Sequence, residues 1–445
     1  MQPRIIRTIL TAAMLATPVA VHATDGHFLH GVGAINSAMG GAGVAAPASL
    51  LGTYYTNPAG LMAFDGTRVE FGFELFKASR TVASTFDPMS MSGSTTSKSE
   101  FVPIPAMAFS VKLNNEKVVL GVGALSIGGF GVDYPASTSN PILTPQPNGF
   151  GQVYSNYALL KIAPAISYAV TPKLWLGAAA NIDWAALSVM PMPIQAPDVD
   201  PATQTAFYQS AAATDGAFGF GFQAGLMYQI NDMIALGASY SSEQFFESFK
   251  WNSTVANPNL PTFGTPTEIE FKLNVPAVAS AGLGLQALPN LLLAADFRYM
   301  FYESTDGFKL PAEGQIMNPD GSVNGFGWKN IWSVHTGLQY RPNDWLQLLG
   351  GYNYTQNPIP DEYSMYNVPA PAIVQQHITG GIGVNITRRF NITAAYYKAL
   401  ENSGTGPLMG MDPNTGDPAQ FGTVTNKLSE DSFLIQFNFA TRGGI

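Results

Sequence analysis

Long two-residue alternation is the feature of this chain that most limits its fold. Val69, Phe71, Phe73 and Leu75 share one parity, against Glu70, Gly72 and Glu74 on the other. Later, Leu293, Ala295, Phe297, Tyr299 and Phe301 oppose Asp296 and Arg298. Trp332, Val334, Thr336, Leu338 and Tyr340 oppose Ser333, His335, Gln339 and Arg341, and Phe433, Ile435, Phe437 and Phe439 oppose Gln436 and Asn438. Successive strand side chains point to opposite faces, so each segment has one apolar and one polar face.

A soluble antiparallel sheet would turn the apolar face inward. A membrane barrel turns it outward to lipid and lines its lumen with the polar face. Three features favour the barrel. The segments often exceed the usual length of a soluble strand. Aromatic residues recur near segment ends, as at Trp328, Trp332, Tyr340, Trp345 and Tyr354, where they would form interfacial girdles. Charged residues make up only 11% of the chain, against about 25% in ordinary soluble domains. After residue 23 there is no apolar run long enough for a spanning helix.

Coarse segment starts fall near Thr67, Glu100, Lys117, Tyr154, Lys173, Gly216 and Met233, then Thr267, Asn290, Gly327, Asp344, Ala372, Arg389 and Val424. About fourteen strands result, the even number expected of a bacterial barrel. Short turns such as Asn114-Asn115 and Asn231-Asp232 alternate with long linkers at 135–149, 191–215 and 402–423. The fold class is therefore all-β: a transmembrane antiparallel β-barrel of about 14 strands, multi-pass, in the outer membrane of a Gram-negative bacterium.

The N-terminus agrees. Arg4 and Arg7 precede an apolar run, and Val21-His22-Ala23 offers small residues before a cut, which predicts a signal peptide over 1–23. Residues 35–61 (INSAMGGAGVAAPASLLGTYYTNPAGL) hold too few large apolar side chains to make a core. A fourteen-strand lumen is too wide for its own side chains to fill. The segment 24–66 is expected to plug it, with Asn57-Pro58-Ala59 as a turn that fixes chain direction, ahead of a barrel over 67–445.

Several classes are disfavoured. With no cysteine, disulfides and thiolate metal sites are excluded. A net charge of -9 argues against nucleic acid. His27 and His30 lack the further ligands a metal site needs. Ser333 and His335 share a strand face, where side chains point in parallel, so no nucleophile–base contact and no enzyme is expected. No cofactor is implied. A general porin or a purely structural barrel is the remaining alternative.

The residues 33–43 (GAINSAMGGAG) followed by Asn57-Pro58-Ala59 resemble the start of the FadL/TodX family of outer-membrane channels for hydrophobic compounds. Leu273-Asn274-Val275-Pro276-Ala277, 345–360 (WLQLLGGYNYTQNPIP) and Gln376-His377-Ile378-Thr379-Gly380-Gly381 resemble later family motifs, in order. The resemblance implies a fourteen-stranded barrel with a hatch in its lumen, acting as a monomer among outer-membrane lipid. It implies passive uptake of hydrophobic small molecules, fatty acids or aromatic hydrocarbons, captured in extracellular loops and released sideways at a kinked third strand.

That strand matches 118–134, where alternation slips by one residue between Ala124 and Leu125 and Gly128, Gly129 and Gly131 follow. A parity slip with glycines reads as a bulge or kink. Met190, Met192, Ile194, Phe207 and Tyr208 are candidate ligand contacts in a long loop, since Met and aromatics suit an adaptable apolar pocket, and residues 202–213 could form a short helix over the mouth. Fatty-acid channels of the family can present basic residues to the carboxylate. The end of the fifth strand carries none, leaving Lys309 as the nearest candidate. The tail beyond Phe439 runs six residues past the last aromatic, so an assembly signal would lie slightly internal.

Overall fold

The computed structural model describes residues 25–98, 100–114, 116–310, 317–412, 415 and 418–441. The expected signal peptide, cut before Thr24, lies outside them, as do the last four residues of the tail. Fourteen long strands follow in chain order. They are β1 Thr67–Phe86, β2 Val102–Lys112, β3 Val118–Tyr134, β4 Val153–Ala169, β5 Leu174–Met190, β6 Ala211–Gln229 and β7 Ile234–Ser241. Then come β8 Val278–Leu288, β9 Leu291–Met300, β10 Ile331–Asn343, β11 Leu346–Thr355, β12 Gln376–Thr387, β13 Phe390–Met411 and β14 Pro418–Ala440. Each pairs antiparallel with its chain neighbours. β14 returns to β1 in the register Arg68↔Ala440 to Ser84↔Val424, which closes the barrel.

The barrel is inside out relative to a soluble sheet. Phe71 is 43% exposed while Glu70, next to it, is 3% exposed. The same holds at Phe297 against Asp296 and at Phe433 against Ser432. In lipid every backbone group must be satisfied within the protein, and a closed antiparallel barrel achieves this with no free edge. The apolar faces are bare because lipid, not protein, covers them.

Three expectations need correction. The start near Thr267 belongs to a hairpin outside the wall, where Phe249–Thr254 pairs with Pro266–Phe271; the barrel strand starts later, at Val278. The linker 402–423 is mostly strand, because β13 and β14 pair as far as Met411↔Pro418. Cross-strand pairing there overrides a Gly- and Pro-rich sequence that reads as loop. Trp328 forms no girdle: it is fully buried, 4.7 Å from Phe308 in an interior ring cluster. Trp345 is exposed, as a lipid-facing ring should be.

Short turns join the strands at one rim. In the β6–β7 turn Asn231 Oδ1 accepts from the N–H groups of Met233 and Ile234. Long loops crowd the other rim. Residues 25–66 are enclosed by the wall and contribute helices α1 Ala34–Ala38 and α2 Leu50–Thr56. The α2 N-terminus is capped by Ser49, whose Oγ accepts from Gly52 N. Ala34, Leu50, Leu51 and Leu61 are all fully buried in this segment.

Candidate lateral window and lumen

The wall is interrupted between β2 and β3. These strands pair from Lys112↔Val119 only as far as Ala106↔Leu125, whereas β1 and β2 continue to Phe76↔Val102. Strand residues direct their N–H groups alternately to one neighbour and the other. Lys112 N donates to Gly66 O on the β1 side, and Leu113 N donates to Val118 O on the β3 side. Pro103 and Pro105 share the parity of Leu113 with no register shift between. The two prolines therefore lack the N–H groups that would face β3, and pairing cannot continue. Opposite them, β3 carries a register shift between Ser126 and Gly128, which makes Ile127 the extra residue of a bulge. Higher up, the wall closes again: Lys98 N donates to Asp133 O at 2.9 Å and Asp133 N to Ser97 Oγ at 2.9 Å. A window results, framed on all four sides.

The free edge of β3 in this window must find partners. The N-terminal segment supplies them. Leu29 N donates to Ile127 O at 3.0 Å and Gly129 N donates to His27 O at 2.8 Å. Gly129 has φ of 154°, a conformation side chains rarely adopt, and a Cβ on Gly128 would lie 2.2 Å from His27 O. Gly131 continues the pairing with β4 opposite Asn156. Behind the window a recess of about 230 Å³ is lined by Leu29, Val32, Ile104, Ala106, Ser126 and Leu434, among others.

The N-terminal segment is bonded to strands all around the barrel. Asn57 Nδ2 donates to Val44 O at 2.8 Å and to Leu226 O of β6 at 3.1 Å, while Oδ1 accepts from Ala59 N at 3.0 Å. A Cβ on Gly225 would lie 1.9 Å from Asn57 Oδ1, so that approach needs a glycine in the wall. Ser167 of β4 donates to Ala59 O at 2.9 Å. Pro58 opens the 3₁₀ turn Pro58–Ala63, where its fixed φ and missing N–H cost nothing. On β9, Asp296 accepts from Gly43 N at 2.7 Å and Val44 N at 3.0 Å, and Arg298 donates to the carbonyls of His30 and Gly41. Glu70 of β1 accepts from Leu51 N and from Gln436 of β14. Asn57→Ala should cost roughly 1–3 kcal/mol, because it leaves buried carbonyls without donors. Limited proteolysis of the N-terminal segment should speed up accordingly; an unchanged rate would deny Asn57 this bolting role.

Ser333 and His335 depart from expectation. Their side chains do touch, with Ser333 Oγ and His335 Nε2 2.8 Å apart. The ring is tilted by the N-terminal segment: Gly40 O lies 2.8 Å from Nδ1 and Asp25 Oδ2 lies 3.3 Å from Nε2. Both residues are fully buried beneath that segment, so the contact holds the segment in place and leaves no room for a substrate.

His27 and His30 sit in different surroundings. His27 stacks between Phe28 at 4.4 Å and Phe308 at 5.0 Å, with Nδ1 2.9 Å from the Tyr302 hydroxyl. His30 packs on His377 at 5.0 Å and edge-on to Tyr397 at 4.5 Å. Burial pushes the His27 imidazole from its ordinary 6.5 down to about 3, and that of His30 to about 4. Both are neutral in place. A histidine depressed on docking stabilises the docked state fully above pH 6.5 and loses that contribution as pH falls towards the depressed value. Proteolytic release of residues 25–64 should therefore accelerate between pH 7 and pH 4; equal rates would contradict the neutral buried rings.

A cavity lies between the N-terminal segment and the wall formed by β4 and β6 to β9. Phe28, Tyr55, Ile127, Val275, Val278 and Met300 give it apolar surface, and Lys161 and Gln223 are among its polar lining. The loop candidates do not line it. Met192 is fully buried, with its N–H donating to Gln209 O at 2.9 Å. Met190 ends β5, and Ile194 is partly buried. Phe207 lies in a two-residue pairing of Ala206–Phe207 with Asp198–Val199. Tyr208 donates to Gly321 O at 2.8 Å and meets the Phe150 ring at 5.9 Å. Residues 202–213 form a turn, this short strand and the start of β6, not the expected helix. Pairing of Ala211 with Val189 draws those small residues into the wall. Lys309 is largely exposed and paired with Asp306 at 2.8 Å. The sequence reading missed Pro103, Pro105 and Lys161. Two prolines at alternate positions of a strand, and a lysine at the lumen parity of β4, were the available signals.

A closed fourteen-strand barrel, bare to lipid outside and filled by its own N-terminal segment, defines an outer-membrane channel protein. The chain belongs to the family described as "Outer membrane protein transport protein (OMPP1/FadL/TodX)", which matches residues 18–407. The family transports hydrophobic compounds and is not one of enzymes. The fold is that of the Pseudomonas putida toluene transporter TodX, with a TM-score of 0.67 at 20% identity over 94% of this chain and 100% of the other. The Ralstonia pickettii toluene transporter TbuX gives 0.63 at 20% over 92% and 99%. A Pseudomonas aeruginosa FadL homologue gives 0.70 at 15% over 94% and 100%. Among curated proteins none matches the chain by sequence.

Proposed function

We propose that this channel takes up long-chain fatty acids or similar lipids passively, captures them at the loop rim and releases them sideways through the β2–β3 window into the outer membrane. The carrying observation is the window itself: two prolines and a bulge leave a stretch of wall with no β2–β3 ladder. Its outer rim is apolar, with Leu75 and Phe101 exposed to lipid. A long alkyl chain keeps its apolar surface hydrated in a wide aqueous pore, and a side exit avoids that cost. No energy source is needed. The plug segment over 24–66 blocks a straight path, with Asn57, Pro58 and Ala59 as its bolt.

A second reading, aromatic hydrocarbons, is favoured by the ring cluster of His27, Phe28, Tyr302, Phe308, Phe326 and Trp328. Two of the solved structures of similar fold, TodX and TbuX, are toluene transporters. The test is uptake by cells without their own hydrophobic-compound channel, given labelled fatty acid with and without excess toluene. Saturable fatty-acid entry that ignores toluene supports the first reading. Entry of toluene alone supports the second, and entry of neither overturns both.

A further inference from the structure

The apolar band on the outside of the barrel ends differently around the wall. On β9 to β11 it ends in rings, with Trp332 6.2 Å from Phe297 and 5.5 Å from Tyr354, as an interfacial girdle does. On β13, β14 and β1 it ends in charge. Leu75, Phe433 and Tyr396 face lipid. The next outward positions towards the loop rim are Lys77, Asp431 and Lys398, which form one cross-strand row. Asp431 lies 3.1 Å from Lys398, and Lys77 lies 5.4 Å from the Phe101 ring beside the window. Lys427 is exposed two rows higher, opposite Thr81 and Ser403. Glu401, at the β13 bulge, is the other acid of this face. These three strands are also long, with 20, 22 and 23 residues in β1, β13 and β14, where a tilted crossing needs about 10. The surplus stands above the lysines and turns hydroxyls outward, as in the pairs Thr405–Thr425 at 2.9 Å and Thr85–Thr423 at 3.2 Å.

We propose that this outer face binds a phosphorylated glycolipid of the outer leaflet, with its phosphates on Lys77, Lys398 and Lys427. Its acyl chains lie below on Leu75 and Phe433, and its sugars lie above against the hydroxyls. The three tiers of the face match the three parts of such a lipid in the same order. An ammonium is a point charge with three donors that suits phosphate. Asp431 engages part of the lysine row and leaves donors free for the ligand, and a basic cluster at head-group level attracts an anionic lipid. A glycerophospholipid would meet the lysines but leave the hydroxyl tier unused. The bound lipid would stand beside Phe101, so its chains would border the window from outside. The proposal needs the outer-membrane location alone and no particular cargo.

The test is native mass spectrometry of the purified full chain in detergent, titrated with rough lipopolysaccharide or with phosphatidylglycerol. Wild type is compared with the triple variant Lys77→Gln, Lys398→Gln, Lys427→Gln. A second triple variant, Lys250→Gln, Lys272→Gln, Lys309→Gln, removes the same charge from the loops. Heat-modifiable migration on gels checks that each barrel is folded. Wild type should hold one glycolipid, and the affinity should fall at least about tenfold in the first variant. The loop variant should bind as wild type does. Phosphatidylglycerol should bind at least about tenfold more weakly than the glycolipid, and millimolar inorganic phosphate should not displace the glycolipid. Unchanged affinity in the folded first variant, or an equal loss in the loop variant, overturns the site. Equally tight phosphatidylglycerol, or displacement by inorganic phosphate, overturns the glycolipid as its occupant.

Discussion

Deleting Ile127 and replacing Pro103 and Pro105 with Thr should abolish uptake while the barrel still folds. The deletion removes the bulged residue, so the register shift between Ser126 and Gly128 disappears. The substitutions return two N–H donors to the β2 edge facing β3. Both changes let the ladder that now stops at Ala106↔Leu125 continue upward, closing the wall as barrels normally do. With no side exit left, entry of a hydrophobic probe should fall by at least about tenfold, since a closed hydrogen-bonded wall offers no path. The variant should retain heat-modifiable migration. Normal uptake through such a barrel would remove the window from the mechanism. Bulky residues at Gly128 make a less clean test: a Cβ there collides with His27 O, so the substitution would push out the N-terminal segment as well as fill the gap.

The second large effect is expected at Arg298→Met. Arg298 donates to the carbonyls of His30 and Gly41 and lies 3.9 Å from the Asp25 carboxylate. All of these groups are buried. Removing one partner of a buried charged cluster costs roughly 3–5 kcal/mol, because the stranded charge and carbonyls have no water. Little of that loss falls on the barrel, whose strands are zipped by backbone bonds on both sides. It falls on the docking of residues 25–64. Small polar solutes should then leak through proteoliposomes carrying the variant, and single-channel recordings should show long open events. A closed, silent Arg298→Met channel would mean that the segment is held by other contacts, such as Asp296 and Asn57, without help from Arg298.

Much of the barrel is legible because its physics is local. Alternation, chain-wide scarcity of charge and turn residues each act within a few positions, and twelve of the coarse strand starts fall within five residues of the observed ones. The two misplacements have clear causes. Thr267 alternates as well as any wall strand but pairs with Trp251 and its neighbours in an outer hairpin. Val424 lies inside β14, whose earlier half alternates Gly, Thr and Asn and gains its strand character only from β13. The kink was legible for the same local reason: a parity slip and glycines are written in the chain. The prolines opposite were equally visible, but their meaning depends on which neighbour each N–H faces, and register is not written in one strand.

The site was less legible. Ser333 and His335 touch only because Gly40 and Asp25, some three hundred positions away, orient the imidazole. Loop residues such as Tyr208 carry suitable chemistry for a ligand, yet they spend it on other loops, with the hydroxyl on Gly321. The sequence by itself determined the inside-out barrel and its strand number, because alternation and charge content need no distant partner. Only the tertiary structure decided where the wall is open, which polar residues bolt the N-terminal segment and that Lys161 is buried at the cavity. Those follow from register between strands and from contacts across the lumen, which no single stretch of chain can specify.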